Sequence, residues 1–188
     1  VTSDNKYVVS GSWDNTIRIT RLDTGKLIRV IKGHTSLVKS LCVTSDNKYV
    51  VSGSEDMTVR ITRLGTGELV RVIKGHTDYV GTVCVTSDNK FVVSGSDDKT
   101  VRITRLDTGK LVRVIEGHTN YYVDNYVISV CVTSDNKYVV SGFCDGTIRI
   151  TRFGTGELFR VIKGHTNWVN SVCVTSDNKY VVSGSEDR

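Results

Sequence analysis

The 188-residue sequence has no proline, a single methionine and two tryptophans, and aromatic residues make up only 7% of it. Without proline, its tight turns fall to Gly, Asn, Asp and Ser, which tolerate positive φ or bond their own backbone. No run of 18 or more apolar residues occurs, so no membrane-spanning helix is expected. The start, VTSDNKYVV, has no basic segment followed by an apolar run, so no secretory leader is expected, and it lacks an initiator Met. A processed, engineered or partial chain is the expectation. Asn-x-Ser/Thr sites are absent, and the five cysteines lack the density of a secreted scaffold, which together suggest a reduced, cytoplasmic protein. Neither sign of charge dominates, with 25 Lys and Arg against 20 Asp and Glu for a net +5. Hydrophobic residues at 38% supply enough apolar surface to exclude disorder.

What is present is a repeat. VTSDN recurs at positions 1, 43, 85, 132 and 174, spaced by 42, 42, 47 and 42 residues. A unit of this length cannot bury its own faces and must stack on its neighbours. Within 33–74, four short Val- and Ile-rich runs (LVKSLCV, KYVVSGS, TVRITRL and LVRVIK) are separated by the turn segments SDNK, SEDM and GTG. No helical period survives in any window, and β-branched residues dominate. Four strands joined by tight turns make a four-stranded antiparallel blade, and blades arranged radially make an all-β propeller. Apolar residues on both strand faces, as in Tyr49-Val50-Val51, suit blades covered on each side. The repeats run over about 1–32, 33–74, 75–116, 117–163 and 164–188, the first and last partial. This predicts seventeen strands, as one set of three, three sets of four and one of two. With both ends of such an arc open, more chain or a second copy is expected to complete a larger ring, in the second case the innermost strand of residues 165–174 of one copy joining residues 1–32 of another.

The succession GHT, VCVTSDNKYVVSGSEDMTVRITR, TGELVRVIKGH, recurring along the whole chain, resembles the WD-repeat family. Two departures stand out. Thr-Arg replaces the family's Trp-Asp pair at Thr20-Arg21, Thr62-Arg63, Thr104-Arg105 and Thr151-Arg152, and Val-Thr-Ser-Asp-Asn replaces its Phe-Ser-Pro-Asp-Gly turn. The resemblance implies that each GHT histidine meets a Ser and an Asp of the next blade in a structural bridge. The trios would be His34–Ser52–Asp56, His76–Ser94–Asp98, His118–Ser141–Asp145 and His165–Ser183–Asp187. One such trio alone would suggest a hydrolase. A catalytic site is built once, however, whereas this trio recurs in every repeat, and no catalytic residue is expected.

Other constellations carry no chemistry. Cys42, Cys84, Cys131 and Cys173 fall once per repeat in the innermost strand, without the paired spacing of a metal site, so no metal or cofactor is expected. Cys144, in a turn, is expected to be a more exposed thiol. The TG turns lack the spacing of a phosphate loop. Twelve of the 13 arginines occupy three columns spread around the ring, and no aromatic platform is expected beside them, which counts against nucleic-acid binding.

The differences between near-identical repeats are more telling. DTGK and GTGE turns alternate, as inheritance of a two-blade unit would give. After GHT the chain reads Leu37, Tyr79, Tyr126 and Trp168, and two residues on Lys39, Gly81, Ile128 and Asn170. Before the network Asp it reads Trp13, Glu55, Asp97, Cys144 and Glu186. By the resemblance, both columns open on the face around the central channel, a common partner-binding surface. The one insertion lands there, with Tyr121 and Tyr122. The expected partner-binding residues are Trp13, Leu37, Lys39, Glu55, Tyr79, Asp97, Tyr121, Tyr122, Tyr126 and Trp168. Large aromatic rings bury area with few rotors and anchor interfaces well. The leading expectation is a non-enzymatic scaffold that binds a protein or peptide. The alternative is a structural or engineered repeat protein with no evolved ligand.

Overall fold

The computed structural model describes residues 1–117 and 125–187. Seventeen strands and no helix occur among these residues. They form five antiparallel sheets of three, four, four, four and two strands, each a meander in chain order. The first contains β1 (Tyr7–Gly11), β2 (Ile17–Arg21) and β3 (Leu27–Ile31). The second contains β4 (Val38–Val43), β5 (Tyr49–Ser54), β6 (Val59–Arg63) and β7 (Leu69–Ile73). The third contains β8 (Val80–Val85), β9 (Phe91–Ser96), β10 (Thr100–Arg105) and β11 (Leu111–Glu116). The fourth contains β12 (Val127–Val132), β13 (Tyr138–Phe143), β14 (Ile148–Arg152) and β15 (Leu158–Ile162), and the last β16 (Val169–Val174) and β17 (Val181–Ser185).

Turn chemistry sets the strand ends as the sequence predicts. In every VTSDN segment the Asn adopts positive φ, from 55° at Asn5 to 59° at Asn178, a region open to Asn because its side chain bonds locally. The Thr and Asp close the same turn, as where Thr44 Oγ1 donates to Asp46 Oδ1 at 2.7 Å. Ladders between these turns link the sheets: Ser3 N–H donates to Asn47 Oδ1, Ser45 N–H to Asn89 Oδ1, and Ser134 N–H to Asn178 Oδ1.

The core lies between sheets, one apolar cluster at each of the four junctions. Two adjacent valines of β5 serve two of them. Val50 packs against the first sheet and Val51 against the third, and both are fully buried. The innermost strands β4, β8, β12 and β16 lie side by side in that order. These are propeller blades, and the five sheets do not close a ring. The two end faces therefore stay open. Leu22 is 49% exposed where its counterparts Leu64 and Leu106 are 8% exposed, and Val182 is 54% exposed where Val93 is 0%.

Candidate functional site

Three of the histidine trios lie wholly within the described residues and share one geometry. His34 Nδ1 is 2.7 Å from Asp56 Oδ2, and its Nε2 is 2.8 Å from Ser52 Oγ. His76 with Asp98 and Ser94, and His165 with Asp187 and Ser183, repeat both distances. Burial pushes the His34 pKa down despite the opposing pull of Asp56, so the ring is neutral at pH 7. Its Nδ1–H then donates to the carboxylate and its Nε2 accepts the Ser52 hydroxyl proton. The connectivity is that of a hydrolytic triad, but Ser52 has no solvent-accessible surface through which a substrate could meet Oγ. Each Asp also accepts the next backbone N–H, as from Thr35 and Thr77, and so ties the GHT loop to the turn. His118 lies outside the described residues. Its expected partners Ser141 and Asp145 lie in β13 and in the turn after it.

The same tie brings the two variable columns together. Glu55 N–H donates to the carbonyl of Leu37, Asp97 to Tyr79, Cys144 to Tyr126, and Glu186 to Trp168. Leu37, Tyr79, Tyr126 and Trp168 are thus each paired through the backbone with the variable residue of the adjacent turn. Several of the variable side chains meet at a cleft of about 320 Å³. Its walls hold Lys39, Tyr79, Asp97, Tyr126 and Trp168 of the expected residues, with Gly81, Ile128, Asn170 and Glu186 beside them. Trp13 and Leu37 do not line the cleft, and Trp13 on the first sheet is 80% exposed. Glu55 stands at its edge, 3.4 Å from Lys39 Nζ. Asn170 Nδ2 donates to Glu186 Oε1 at 3.0 Å. Tyr121 and Tyr122 lie outside the described residues. Gly81, Ile128, Asn170 and Glu186 were visible as variable columns, yet nothing in the sequence marks them as wall residues.

One expectation is corrected. Cys144 is buried rather than exposed, because its small side chain turns inward and Sγ accepts the Tyr126 N–H at 3.2 Å. Aromatic rings do accompany one arginine column: Arg63, Arg105 and Arg152 lie over Tyr49, Phe91 and Tyr138. Each of those rings belongs to the arginine's own sheet, so no shared platform results. A second column clamps neighbouring blades. Arg29 donates to the Gly65 carbonyl at 2.9 Å, Arg71 to Asp107 at 2.8 Å, and Arg113 to Thr155 at 2.6 Å. These cations are committed to internal carbonyls.

The cleft is acidic on one side. Burial raises the pKa of Asp97, and the nearby Asp78, Glu55 and Asp98 add to the rise against the counter-pull of Lys39. A carboxyl whose folded pKa exceeds its unfolded value contributes most to stability when protonated, and that contribution is lost as pH rises through the folded pKa. Asp97→Asn should therefore raise the melting temperature at pH 7. The gain should shrink as pH falls toward about 4, where a carboxylic acid protonates anyway. Thermal melts of both proteins across this range check the sign, and a loss of stability at pH 7 would contradict it.

With strands, turns and trios placed, the comparison with known families is direct. The family model of the WD domain, G-beta repeat, matches residues 1–20, 25–62, 67–104, 109–151 and 156–188. Each match after the first starts at the outermost strand of one sheet and runs into the next, and the matches hold despite the Thr-Arg pairs in place of Trp-Asp. The chain belongs to the WD40 repeat family.

Proposed function

We propose that this chain is a non-enzymatic scaffold that holds a protein or peptide segment in the cleft between Lys39, Tyr79, Asp97, Tyr126 and Trp168. WD40 repeats serve generally as protein-interaction scaffolds, and the narrower reading rests on one observation. In a chain of near-copies, Lys39, Tyr79, Asp97, Tyr126 and Trp168 differ from repeat to repeat and meet at a single cleft. A surface that served only the fold would need no such variety. The aromatic rings supply apolar area, and the charges match the partner and set its orientation. Burying Asp97 among other carboxylates favours a segment that brings a basic group, because an opposite charge relieves that repulsion. The arginine column committed to neighbouring carbonyls and the scattered charge count against nucleic acid, and the cysteine usage suits a reducing, intracellular setting.

A peptide array probed with the chain tests this. Peptides that combine a basic residue with apolar ones should bind. Trp168→Ala or Tyr79→Ala should weaken that binding by about 2 kcal/mol, roughly thirtyfold, as loss of an interface anchor does. Lys26→Glu or Glu68→Lys on the opposite face should change it by less than about 0.5 kcal/mol. No binding at all would favour a repeat protein without an evolved ligand. Loss through the turn variants but not the aromatic ones would move the site to the other face.

A further inference from the structure

We infer that the cleft takes an arginine side chain of its partner, the guanidinium pairing with Asp97 and lying against the rings of Tyr79, Tyr126 and Trp168. The inference rests on the cleft being the docking site and comes from comparing one repeat with the next. In the second sheet Lys39 is paired with Glu55 of the adjacent turn, Nζ standing 3.4 Å from Oε1. In the last sheet Asn170 Nδ2 donates to Glu186 Oε1 at 3.0 Å. In the fourth the corresponding residues, Ile128 and Cys144, are both apolar. In the third they are Gly81 and Asp97, so the carboxylate has no side chain at that place to answer it. The charged groups that act on Asp97 are themselves engaged. Lys39 is held by Glu55, Asp78 Oδ1 accepts the Tyr79 N–H at 2.8 Å, and Asp98 is held by His76 and Thr100. Among the described residues no hydrogen bond reaches the Asp97 carboxylate, which stands half-buried. A partly desolvated carboxylate without a donor costs free energy that a partner's cation recovers. Gly81 leaves the room for it. Apart from its chain neighbours, a Cβ there would meet nothing closer than the Val127 carbonyl oxygen at 3.7 Å.

The walls decide which cation. Tyr79, Tyr126 and Trp168 line the same cleft as Asp97, and Asp97 N–H donates to the Tyr79 carbonyl at 3.0 Å, so that ring and carboxylate start from joined residues. A guanidinium is planar and weakly hydrated. Its face rests on an aromatic ring while the N–H groups along its edge donate in pairs to a carboxylate. A lysine ammonium is a compact, strongly hydrated charge that gives up more on leaving water. A trimethylated lysine suits the rings but carries no N–H, and it would leave Asp97 as unanswered as before. Arginine alone satisfies both halves of the cleft. The stability gain expected of Asp97→Asn then has its counterpart, because the chain keeps a costly carboxylate where a partner needs it.

An array of hexapeptides tests this on the intact chain, each with a central arginine, lysine, trimethyllysine or neutral citrulline between randomised apolar flanks. The arginine series should bind, and the other three should each bind about tenfold more weakly, the loss of one charge-assisted contact. Asp97→Asn should weaken the arginine series by a similar factor and leave the citrulline series unchanged, a split that a merely structural role would not produce. Gly81→Lys supplies Asp97 with the internal cation that Lys39 supplies to Glu55. It should abolish the preference for arginine and leave the β circular-dichroism spectrum intact. Equal binding of the lysine or trimethyllysine series, or an arginine preference that survives Asp97→Asn, would overturn the arginine assignment and leave the cleft standing as a docking site. No binding in any series, or binding indifferent to Trp168→Ala, would overturn the docking reading and the inference with it.

Discussion

Asp98→Ala should cost about 3–5 kcal/mol, the range for removing one member of a buried, hydrogen-bonded charged network. The carboxylate accepts from His76 Nδ1 at 2.7 Å, Thr77 N–H at 3.1 Å, Thr100 N–H at 2.9 Å and Thr100 Oγ1 at 2.7 Å. Both side chains of the His76–Asp98 pair are only 4% exposed, so water cannot replace the lost acceptor. Asp187→Ala removes the same residue from the last sheet, where the pair is about a quarter exposed, and should cost about 1 kcal/mol. Chemical denaturation of the two variants reads the difference, and equal losses would show that burial does not govern the network. His76→Ala combined with Asp98→Ala should cost less than the two single losses together, because one network is broken only once. Acid should act like the substitution. Burial alone would raise the Asp98 carboxyl, but the bonds from His76 and Thr100 outweigh it and hold the pKa well below the carboxylate range. The stability this supplies is present above the unfolded value of about 3.9 and lost as pH falls through the lower folded one.

Gly95→Ala should cost about 2–3 kcal/mol, in the range of an overpacked core. A Cβ at Gly95 would sit 2.5 Å from Val127 Cγ1 and 2.8 Å from Thr82 Cγ2. Both are branched side chains with little freedom to turn aside, and Val127 is fully buried. Gly184 occupies the same place in the last sheet, and a Cβ there would meet nothing within 4 Å. Gly184→Ala should therefore fall within about 0.5 kcal/mol of the unchanged chain. The pair measures the tightness of a blade junction with the residue type held constant. If the two alanines cost the same, the approach of β8 and β12 to β9 is not the constraint described here.

The strands and turns were legible because their signals are local: β-branched runs, and Asn or Gly where the chain must turn back. The histidine trios were legible from a recurring family pattern. What escaped depends on packing across chain separations that no spacing reveals. Arg29 and Gly65 lie 36 residues apart and meet only because neighbouring sheets stack. Cys144 occupies a turn position shared with Glu55 and Asp97, yet its small apolar side chain folds under where theirs face out. The cleft was half legible. Variation singled out its residues, but packing between sheets decided which of them line it, and Trp13 and Leu37 do not.

On the loop face, main-chain bonds join one variable residue to another, Tyr79 to Asp97 and Trp168 to Glu186. A peptide N–H and C=O are common to every residue except proline, which lacks the donor. The scaffold therefore fixes where a side chain stands without constraining what it is. Recognition can drift, or be redesigned, one blade at a time while the hydrogen-bonded frame beneath is inherited unchanged. Such a surface behaves as a set of separately writable positions, and its duplicated blades give each copy room to acquire its own specificity.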